Sequence, residues 1–358
     1  YLAAGCDVWL VFYTEFGGDF GAGEDPITEV VHANNDGFEE WGVAIYPLAT
    51  KSGTKYHDLN ASGERDADEP GLPGWTIYVD LNDNGSFDDG EPFDVTGADG
   101  SYMIESIPLG SYKVREVLEG DWVCSDPSPC YYDETFVVGG EYTGNDFGNW
   151  RYAYKRGVKF EDLNADGVKD AGEPGVAGVE ICANGTCATT DADGKYELML
   201  KPGSYLVCEQ DVSALGWTQS YPDNTVCDGV DGVAPGGWDI TLSSNEVDED
   251  NDFGNYRQAM KSGYKWHDLD ADGVWDSDEP GLEDWVMELW DASGKLAEAT
   301  TDTNGYYAFM NLPPGDYVVC EQLKDDWFQS YPDSGFECPT GLGLGEYGYS
   351  FSLISGQH

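Results

Sequence analysis

Basic residues are scarce in this sequence of 358 residues. Lys and Arg together number 17 against 69 Asp and Glu, which gives a formal net charge of −52 at pH 7. A chain without a basic patch repels phosphate backbones and anionic membranes, so nucleic-acid binding is excluded as a function class. Hydrophobic residues make up 40% and aromatic residues 14%, which is enough for hydrophobic cores. We therefore expect a folded acidic protein whose charge attracts cations.

Helical periodicity and long apolar runs are also missing. No window of a dozen residues has a convincing helical repeat. The longest apolar run, VWLVFY at 8–13, is the length of a strand and far short of the roughly 18–20 residues of a membrane span. Short runs rich in β-branched and aromatic residues, bounded by Gly, Pro, Asn and Asp, predict strands at 75–81, 111–117, 204–210 and 316–322. The sequence therefore predicts an all-β fold without a membrane span.

The nine cysteines contain no C-x-x-C pair and the four histidines are scattered, which argues against a zinc site. In an acidic, lysine-poor β protein they favour an oxidising compartment instead. The hairpin signal Asn184-Gly185 places Cys182 opposite Cys187, near enough to bridge. The complete predicted pairing is Cys124–Cys130, Cys182–Cys187, Cys208–Cys227 and Cys320–Cys338, with Cys6 left over.

The sequence repeats itself three times. KYHDLNASGERDADEPGLPGW (55–75), KFEDLNADGVKDAGEPGVAGV (159–179) and KWHDLDADGVWDSDEPGLEDW (265–285) share one pattern, at spacings of 104 and 106 residues. Later landmarks recur in order, and the first two copies close with NDFGNW and NDFGNY. Short strands separated by regular turns predict one β-sandwich per repeat. The predicted domains are an N-terminal β segment at 1–50 and modules at 51–152, 153–258 and 259–358.

Four stretches of twelve residues have the spacing of an EF-hand-like calcium loop, with oxygen-bearing side chains at positions one, three, five, nine and twelve and Gly at position six. We number them loop one (58–69), loop two (80–91), loop three (162–173) and loop four (268–279). Position seven supplies a backbone carbonyl, so its side chain is free to vary. The predicted ligands are Asp58, Asn60, Ser62, Glu64, Asp66 and Glu69; Asp80, Asn82, Asn84, Ser86, Asp88 and Glu91; Asp162, Asn164, Asp166, Val168, Asp170 and Glu173; and Asp268, Asp270, Asp272, Val274, Asp276 and Glu279.

The chemistry explains this order. Ca²⁺ takes six to eight oxygens at about 2.3–2.6 Å, and alternate residues of a curled loop direct their oxygens to one centre. Strings of Asp, Asn and Gly are often only turns, but four copies with every ligand position filled favour Ca²⁺. Mg²⁺ is the weaker competitor, since it fits poorly a loop offering seven flexible oxygens. A second site at Asp191 and Asp193, or at Asp302 and Asn304, competes evenly with a plain hairpin turn.

These residues carry a family resemblance. KFEDLNADGVKDAGEPG, TDADGKYEL, LKPGSYLVCE and NDFGN resemble the SdrD B-like domain, a relative of the prealbumin-like Cna-B sandwiches of bacterial surface proteins, and the match runs from residue 51 to about 358. The resemblance implies calcium-stabilised rods that space or assemble surface proteins, without catalysis. The disulfides and the first 50 residues depart from the family pattern.

The resemblance also raises the question of a crosslink. Some Cna-B relatives join a first-strand Lys to a last-strand Asn with the help of an acid. The matching positions here are Lys55, Lys159 and Lys265, with Glu116, Glu209 and Glu321 as acids and Asn149 and Asn255 as acceptors. Because the calcium-binding branch usually lacks this bond, we expect lysines that extend their charged ends to solvent. For His57 and His267, each one residue before a loop, we expect packing or hydrogen bonding and not catalysis.

The two ends of the chain suggest assembly. The third module ends without a DFGN strand, and a sandwich that lacks a strand exposes a groove and an open edge. The apolar segment 8–16, followed by GGDFGAG, predicts a donor strand for the next copy, which gives a head-to-tail fibre. The alternative is that the sequence is a piece of a longer protein. YLAAGC also resembles a lipoprotein cleavage box, in which Cys6 would carry lipid.

We predict an extracellular or cell-surface structural protein, a rod or fibre subunit whose partners are copies of itself and the cell surface or matrix. We find no nucleophile–base pair, phosphate loop or carboxylate dyad, so an enzyme is not expected. Two alternatives are an adhesin that binds a ligand through residues 1–50, and spacer modules of an exported enzyme.

Overall fold

The computed structural model describes residues 8–14 and 41–358. Within these ranges the regular structure is β, apart from one 3-10 turn at Ser213–Leu215, so the predicted all-β fold is confirmed. No helix in the described part of the chain is long and apolar enough to cross a membrane.

The N-terminal region contains two paired strands, β1 (Val8–Thr14) and β2 (Trp41–Pro47). They are antiparallel, with Val8 opposite Pro47 and Thr14 opposite Trp41. The prediction that residues 8–16 are donated to another chain is therefore wrong for residues 8–14, because their backbone groups already pair with β2. The GGDFGAG segment, residues 17–23, lies outside the described residues, as does Cys6.

The first module is a sandwich of two sheets. Its strands are β3 (Ala49–His57), β4 (Thr76–Asp80), β5 (Phe93–Val95), β6 (Ser101–Ile107), β7 (Gly110–Glu116), β8 (Val123–Asp126), β9 (Tyr132–Phe136), β10 (Glu141–Tyr142) and β11 (Phe147–Trp150). One sheet has the order β10-β3-β11-β8, with β6 also on β3, and the other has the order β5-β4-β7-β9. The closing strand β11 runs parallel to β3, with Phe147 beside Lys55.

The second module repeats this arrangement. Its strands are β12 (Ala153–Glu161), β13 (Glu180–Ala183), β14 (Thr186–Thr189), β15 (Lys195–Leu200), β16 (Gly203–Gln210), β17 (Trp217–Tyr221), β18 (Val233–Leu242), β19 (Val247–Asp248) and β20 (Phe253–Arg257). The sheets have the orders β15-β12-β20-β17, with β19 on β12, and β14-β13-β16-β18. Strand β20 closes the module beside β12, as β11 does beside β3.

The third module has the strands β21 (Ala259–Tyr264), β22 (Val286–Asp291), β23 (Gly294–Thr300), β24 (Tyr306–Leu312), β25 (Gly315–Glu321), β26 (Phe336–Glu337) and β27 (Tyr347–Leu353). One sheet has the order β23-β22-β25-β27-β26, and β21 pairs with β24 in the other. Among the described residues, no strand occupies the side of β21 that corresponds to β11 and β20.

Alternating side chains of the two sheets form the core of each sandwich. In the first module the core includes Ile77 and Val79 of β4, Ile104 of β6 and Phe147 of β11. In the third, Leu289, Phe309 and Val319 pack around Trp285. Phe147 and its counterpart Phe253 are both fully buried, so the closing strand completes the core as well as the sheet.

All four predicted disulfides are present in the structure. Cys124–Cys130, Cys208–Cys227 and Cys320–Cys338 each have Cα atoms 6.1 Å apart, and the Cα atoms of Cys182 and Cys187 are 4.1 Å apart. Cys182 and Cys187 face each other across β13 and β14, as the Asn184-Gly185 hairpin signal required.

Candidate metal centres

The ends of the loops are held by strands and isolated β-bridges, whereas in an EF-hand they are held by helices. Loop one begins directly after β3 and loop two begins with the last residue of β4. An isolated β-bridge closes loops one, three and four just outside their ends; the bridged pairs are Tyr56 with Gly71, Phe160 with Gly175 and Trp266 with Gly281. Two anchored ends are what a curled loop needs, and the strands supply them.

The first residue of every loop is an Asp that accepts hydrogen bonds from the loop's own backbone. In loop one, the carboxylate of Asp58 accepts from the N–H groups of Ser62 at 3.1 Å and Gly63 at 2.9 Å. The equivalent carboxylates of Asp80, Asp162 and Asp268 accept from the fifth and sixth N–H groups in the same way. Each loop is thereby curled around its first carboxylate.

The twelfth residue of every loop is a buried Glu that folds back over the loop. One oxygen of Glu69 accepts from the N–H of Leu59 at 2.7 Å and the other from the N–H of Asp66 at 3.1 Å. Glu91, Glu173 and Glu279 make the same pair of contacts, to the second and ninth residues. The first and last ligands are thus positioned identically in all four loops.

The backbone turns where the pattern requires it. The fourth residue of each loop has a positive φ between 55° and 61°, and the sixth, always Gly, has φ between 76° and 78°. Glycine adopts this left-handed conformation at no steric cost. The seventh side chains, Glu64, Ser86, Val168 and Val274, are exposed, in agreement with a position that offers only its carbonyl.

The remaining ligand side chains converge. In loop four, oxygens of Asp270, Asp272 and Asp276 lie within 4.8 Å of one another, as do those of Asp268, Asp270 and Glu279. Desolvation, together with the neighbouring Asp272 carboxylate, raises the pKa of Asp270. In loop one, Nδ2 of Asn60 lies 2.8 Å from Oδ2 of Asp66. Such a set of hard oxygens around one point fits Ca²⁺.

Loop two differs from the others because two cations from β7 reach it, a feature absent from the sequence prediction. Nε of Arg115 donates to Oδ2 of Asp80 at 2.8 Å, and Nζ of Lys113 contacts Asp83 at 2.7 Å. The pKa of Asp83 is lowered, chiefly by its hydrogen bond to Lys113. The basic residues of SYKVREV were the sequence signal for this contact. The sequence alone does not show which residues of β4 they lie beside.

The weaker candidates for a second metal site form turns. Oδ1 of Asp191 accepts from the N–H groups of Asp193 and Lys195, both at 2.9 Å, and Oδ1 of Asp302 accepts from those of Asn304 and Tyr306. These carboxylates therefore organise the hairpin turns that contain them.

The aligned lysines are buried, so the prediction that they extend to solvent is wrong. The side chains of Lys55 and Lys159 are 0% and 1% exposed. Nζ of Lys55 lies 3.0 Å from Oε2 of Glu116 and 3.2 Å from the carbonyl of Phe147, and it also contacts Oδ1 of Asn149. Closing strand β11 brings Asn149 to this place, where a charged end could not reach water.

The second module contains the same group. Nζ of Lys159 lies 3.0 Å from Oε2 of Glu209 and contacts Oδ1 of Asn255. Burial lowers the pKa of Lys55 and Lys159 to about 8 and raises that of Glu116 and Glu209. Both shifts move the pair towards the neutral amine and the neutral carboxylic acid.

The third module contains only part of this group. Nζ of Lys265 lies 2.6 Å from Oε2 of Glu321, and the lysine side chain is 15% exposed. Lys55 and its counterpart Lys265 each lie over a tryptophan ring. Nζ of Lys55 is 4.5 Å from the ring centre of Trp75, and Nζ of Lys265 is 4.9 Å from that of Trp285.

The two histidines before the loops pack as predicted. His57 meets Trp122 edge to face at 4.8 Å, and His267 meets Trp327 at 4.7 Å. The adhesin alternative depends on residues 1–50, of which the structure describes 8–14 and 41–50.

Several known proteins resemble this chain. The model of the SdrD B-like domain matches residues 157–255 and 262–339. Serine-aspartate repeat-containing protein D of Staphylococcus aureus (strain Newman) is 31% identical over 287 residues, which cover 74% of this chain and 21% of that protein. Protein F of the same name from Staphylococcus epidermidis is 29% identical over 308 residues, covering 78% and 17%. The chain therefore spans about a fifth of the length of these relatives.

Among solved structures, the major pilin subunit BcpA of Bacillus cereus covers 86% of this chain and 95% of its own, with 10% identity and a TM-score of 0.34. The relatives, the domain match and the repeated sandwiches all indicate the same domain family. Residues 157–255 and 262–339 are SdrD B-like domains, of the kind found in surface proteins of Gram-positive bacteria.

Proposed function

We propose that the protein is an extracellular structural protein in which Ca²⁺ holds a series of β-sandwich modules folded, so that they serve as a rod or as a fibre subunit. The observation that carries this proposal is the shared hydrogen-bond scheme of the four loops. In each, the first Asp and the twelfth Glu are held by backbone N–H groups of the same loop. A plain turn does not need a buried Glu eleven residues after its first Asp that folds back over its start.

The electrostatics of the loops support the ion. Loop four places five carboxylates together, those of Asp268, Asp270, Asp272, Asp276 and Glu279. With a net charge of −52 on the chain, few internal cations are available to compensate them. A divalent cation relieves this repulsion in the folded state only, and it therefore adds RT ln(1 + [L]/Kd) to stability.

Thermal unfolding of the full chain tests the proposal. Chelator should lower the melting temperature, and Glu173→Gln should remove part of the calcium-dependent gain, because it takes a bidentate ligand from loop three. Glu180→Gln is the matched control, an exposed Glu of the same module on β13. A melting curve that is the same in calcium and in excess chelator would contradict the proposal.

We further propose that the Lys–Asn–Glu groups close the first two modules covalently. The neutral Nζ of Lys55 attacks Cγ of Asn149, the Nζ–Cγ bond forms and the Cγ–Nδ2 bond breaks. The proton lost by Nζ passes through the Glu116 carboxyl group to Nδ2, which leaves as ammonia. Burial, close approach and the opposed pKa shifts of Lys55 and Glu116 support this step.

For the fibre, we propose that the β21 edge of the third module accepts a strand from a second copy. A groove of about 180 Å³ lies beside β21, lined by Lys261, Tyr264, Lys265, Glu321, Tyr331 and Tyr349. In the first two modules the corresponding place holds the Phe-Gly-Asn of β11 and of β20, and an Asp precedes each of these strands. Since residues 8–14 are paired with β2, the donor we propose is Asp19-Phe20-Gly21, which repeats the Asp-Phe-Gly sequence at the start of both closing strands.

Sedimentation and electron microscopy of the full chain test this assembly. Phe20→Ser should abolish polymers because the donated ring would no longer fill the groove, whereas Phe16→Ser should leave them intact. Polymers that persist in Phe20→Ser would exclude this donor, and a full chain that is monomeric at all concentrations would exclude head-to-tail assembly.

A further inference from the structure

Two serines make the same unusual set of contacts with two of the calcium loops. Oγ of Ser244 lies 2.7 Å from Nε2 of His57, and its N–H donates to the carbonyl of Leu59 at 2.8 Å. Oγ of Ser355 donates to Glu161 at 2.6 Å, and its N–H donates to the carbonyl of Leu163 at 3.0 Å. Both serines are buried. We call them the joint serines.

Each joint serine belongs to a module different from that of the loop it contacts. Ser244 follows β18 of module two and contacts loop one of module one. Ser355 follows β27 of module three and contacts loop three of module two. The backbone N–H groups of Arg151 and Arg257, which connect the successive modules, donate to the two Oγ atoms at 2.7 and 2.8 Å. One side chain thus joins a loop, a connecting segment and the next module.

A single residue of each loop links this contact to the calcium ligands. The N–H of Leu59 is held by the carboxylate of Glu69, the twelfth ligand, while its carbonyl is held by Ser244. Leu163 stands in the same way between Glu173 and Ser355. This leucine directly follows the first predicted ligand of its loop, Asp58 or Asp162.

We infer that loops one and three are the sockets of the joints between successive modules, and that a divalent cation in each loop fixes the joint through the leucine and the joint serine. The inference rests on the proposed calcium binding, and it adds the surface and the partner: a following module with a serine at this place. An ordered loop presents its second carbonyl in one position, so the serine loses less entropy on binding a filled loop than an empty one.

The pattern of residues in the chain agrees with this assignment. Residues 1–50 contain no loop of this spacing, and the first module, which follows them, has Val138 at the position of the joint serines. The third module repeats the socket residues as His267 and Leu269, and Leu269 is 59% exposed. Loop two, in contrast, makes no contact with a joint serine, which provides an internal control.

Trypsin reports on the joints directly because Arg151 and Arg257 are its cleavage sites. Cleavage needs the connecting segment to open locally, so its rate follows the open population. In the full chain, calcium should slow cleavage after both arginines by about tenfold, which is the effect expected from the two Oγ hydrogen bonds of a joint serine. The cut positions are read by mass spectrometry at early times, with and without chelator.

Five variants separate the contributions of the joint serines from those of the loops. Ser244→Ala deletes the Oγ hydrogen bonds to His57 and Arg151 and keeps the backbone N–H, so it should weaken the protection after Arg151 and leave that after Arg257 unchanged. Ser355→Ala should do the reverse. Ser243→Ala, an exposed neighbour, should change neither. Glu69→Gln should act like Ser244→Ala, whereas Glu91→Gln in loop two should leave both sites protected.

Thermal melting of the same variants distinguishes a failure of the joint inference from a failure of the proposed calcium binding. If calcium raises the melting temperature but Ser244→Ala is cut after Arg151 as slowly as the parent chain, the joint inference is wrong and the proposed calcium binding stands. If calcium changes neither melting nor cleavage, the proposed calcium binding itself fails. Loss of protection in Ser244→Ala with an unchanged melting temperature supports the joint.

Discussion

Nε of Arg115 lies 2.8 Å from Oδ2 of Asp80, the first ligand of loop two. The carboxylate is buried, and the guanidinium occupies part of the space around it on the side of β7. Loop two therefore carries an internal cation that the other three loops do not have at this position among the described contacts. A divalent ion at loop two has to compete with that guanidinium for Asp80.

We predict that loop two binds Ca²⁺ most weakly and that loop four, with five carboxylates, binds it most tightly. Replacing Arg115 by Gln should strengthen binding at loop two by about fivefold, which corresponds to roughly 1 kcal/mol for a partly exposed ion pair. Calorimetry on the full chain measures this, with Glu91→Gln used to assign the step that belongs to loop two.

Arg156→Gln is the control for this substitution, because Arg156 pairs with Glu197 outside any loop. It should leave all binding steps unchanged. Equal affinities in all four loops, or weaker binding in the Arg115→Gln variant, would show that the Arg115–Asp80 contact does not oppose the ion.

The proposed crosslinks give a prediction in mass. The intact chain should weigh less than its sequence by two molecules of ammonia, beyond the hydrogens lost to disulfides, one for each of Lys55–Asn149 and Lys159–Asn255. Asn149→Ala should restore one of them and lower the stability of module one by about 4 kcal/mol, since each bond closes a loop of more than ninety residues. Asn145→Ala, on the same connection, should restore none. If the measured mass shows no loss of ammonia, the crosslinks are absent and these lysines only form hydrogen-bonded pairs with glutamate.

The buried lysines also predict how stability changes with pH. In the variant with Asn149→Ala and Asn255→Ala, Lys55 and Lys159 cannot be crosslinked and remain titratable. Burial lowers their pKa in the folded state from 10.5 to about 8. Between pH 8 and pH 10.5 the unfolded chain therefore binds more protons than the folded chain. The lysines' contribution to stability is fully present above pH 10.5 and is lost as pH falls through 8.

The melting temperature of this variant should therefore rise from pH 8 to pH 10, relative to the crosslinked parent, by an amount equivalent to roughly 1–3 kcal/mol per lysine. Above pH 10 the tyrosines with raised pKa, such as Tyr78 at about 12, destabilise both chains and set the upper limit of the measurement. Parallel curves for the two chains would mean that the lysines titrate alike in both.

Local patterns explain what the sequence could predict. All ligands of loop three, from Asp162 to Glu173, lie within twelve residues, so their spacing alone specifies the curl, and the Asn184-Gly185 turn likewise specified the Cys182–Cys187 pair. Lys55 and Asn149 are 94 residues apart and meet only because β11 lies parallel to β3. Arg115 reaches Asp80 through the register of β7 on β4, and Ser244 meets Leu59 across two modules. No periodicity in the sequence encodes such distant registers.

The disulfides give the last prediction, because two of them differ in the loop they close and in their surroundings. Cys208–Cys227 spans 19 residues and is buried, whereas Cys182–Cys187 spans 5 residues within a hairpin that its backbone hydrogen bonds already define. By loop-closure entropy alone, replacing the longer bridge with two serines should cost about 1 kcal/mol more than replacing the shorter one. Burial adds to this difference, since two hydroxyl groups would then lie in an apolar site. Urea unfolding of the two double variants measures both values. Equal losses would indicate that the unfolded chain is already restricted near Cys208, and a larger loss for the hairpin bridge would contradict the argument.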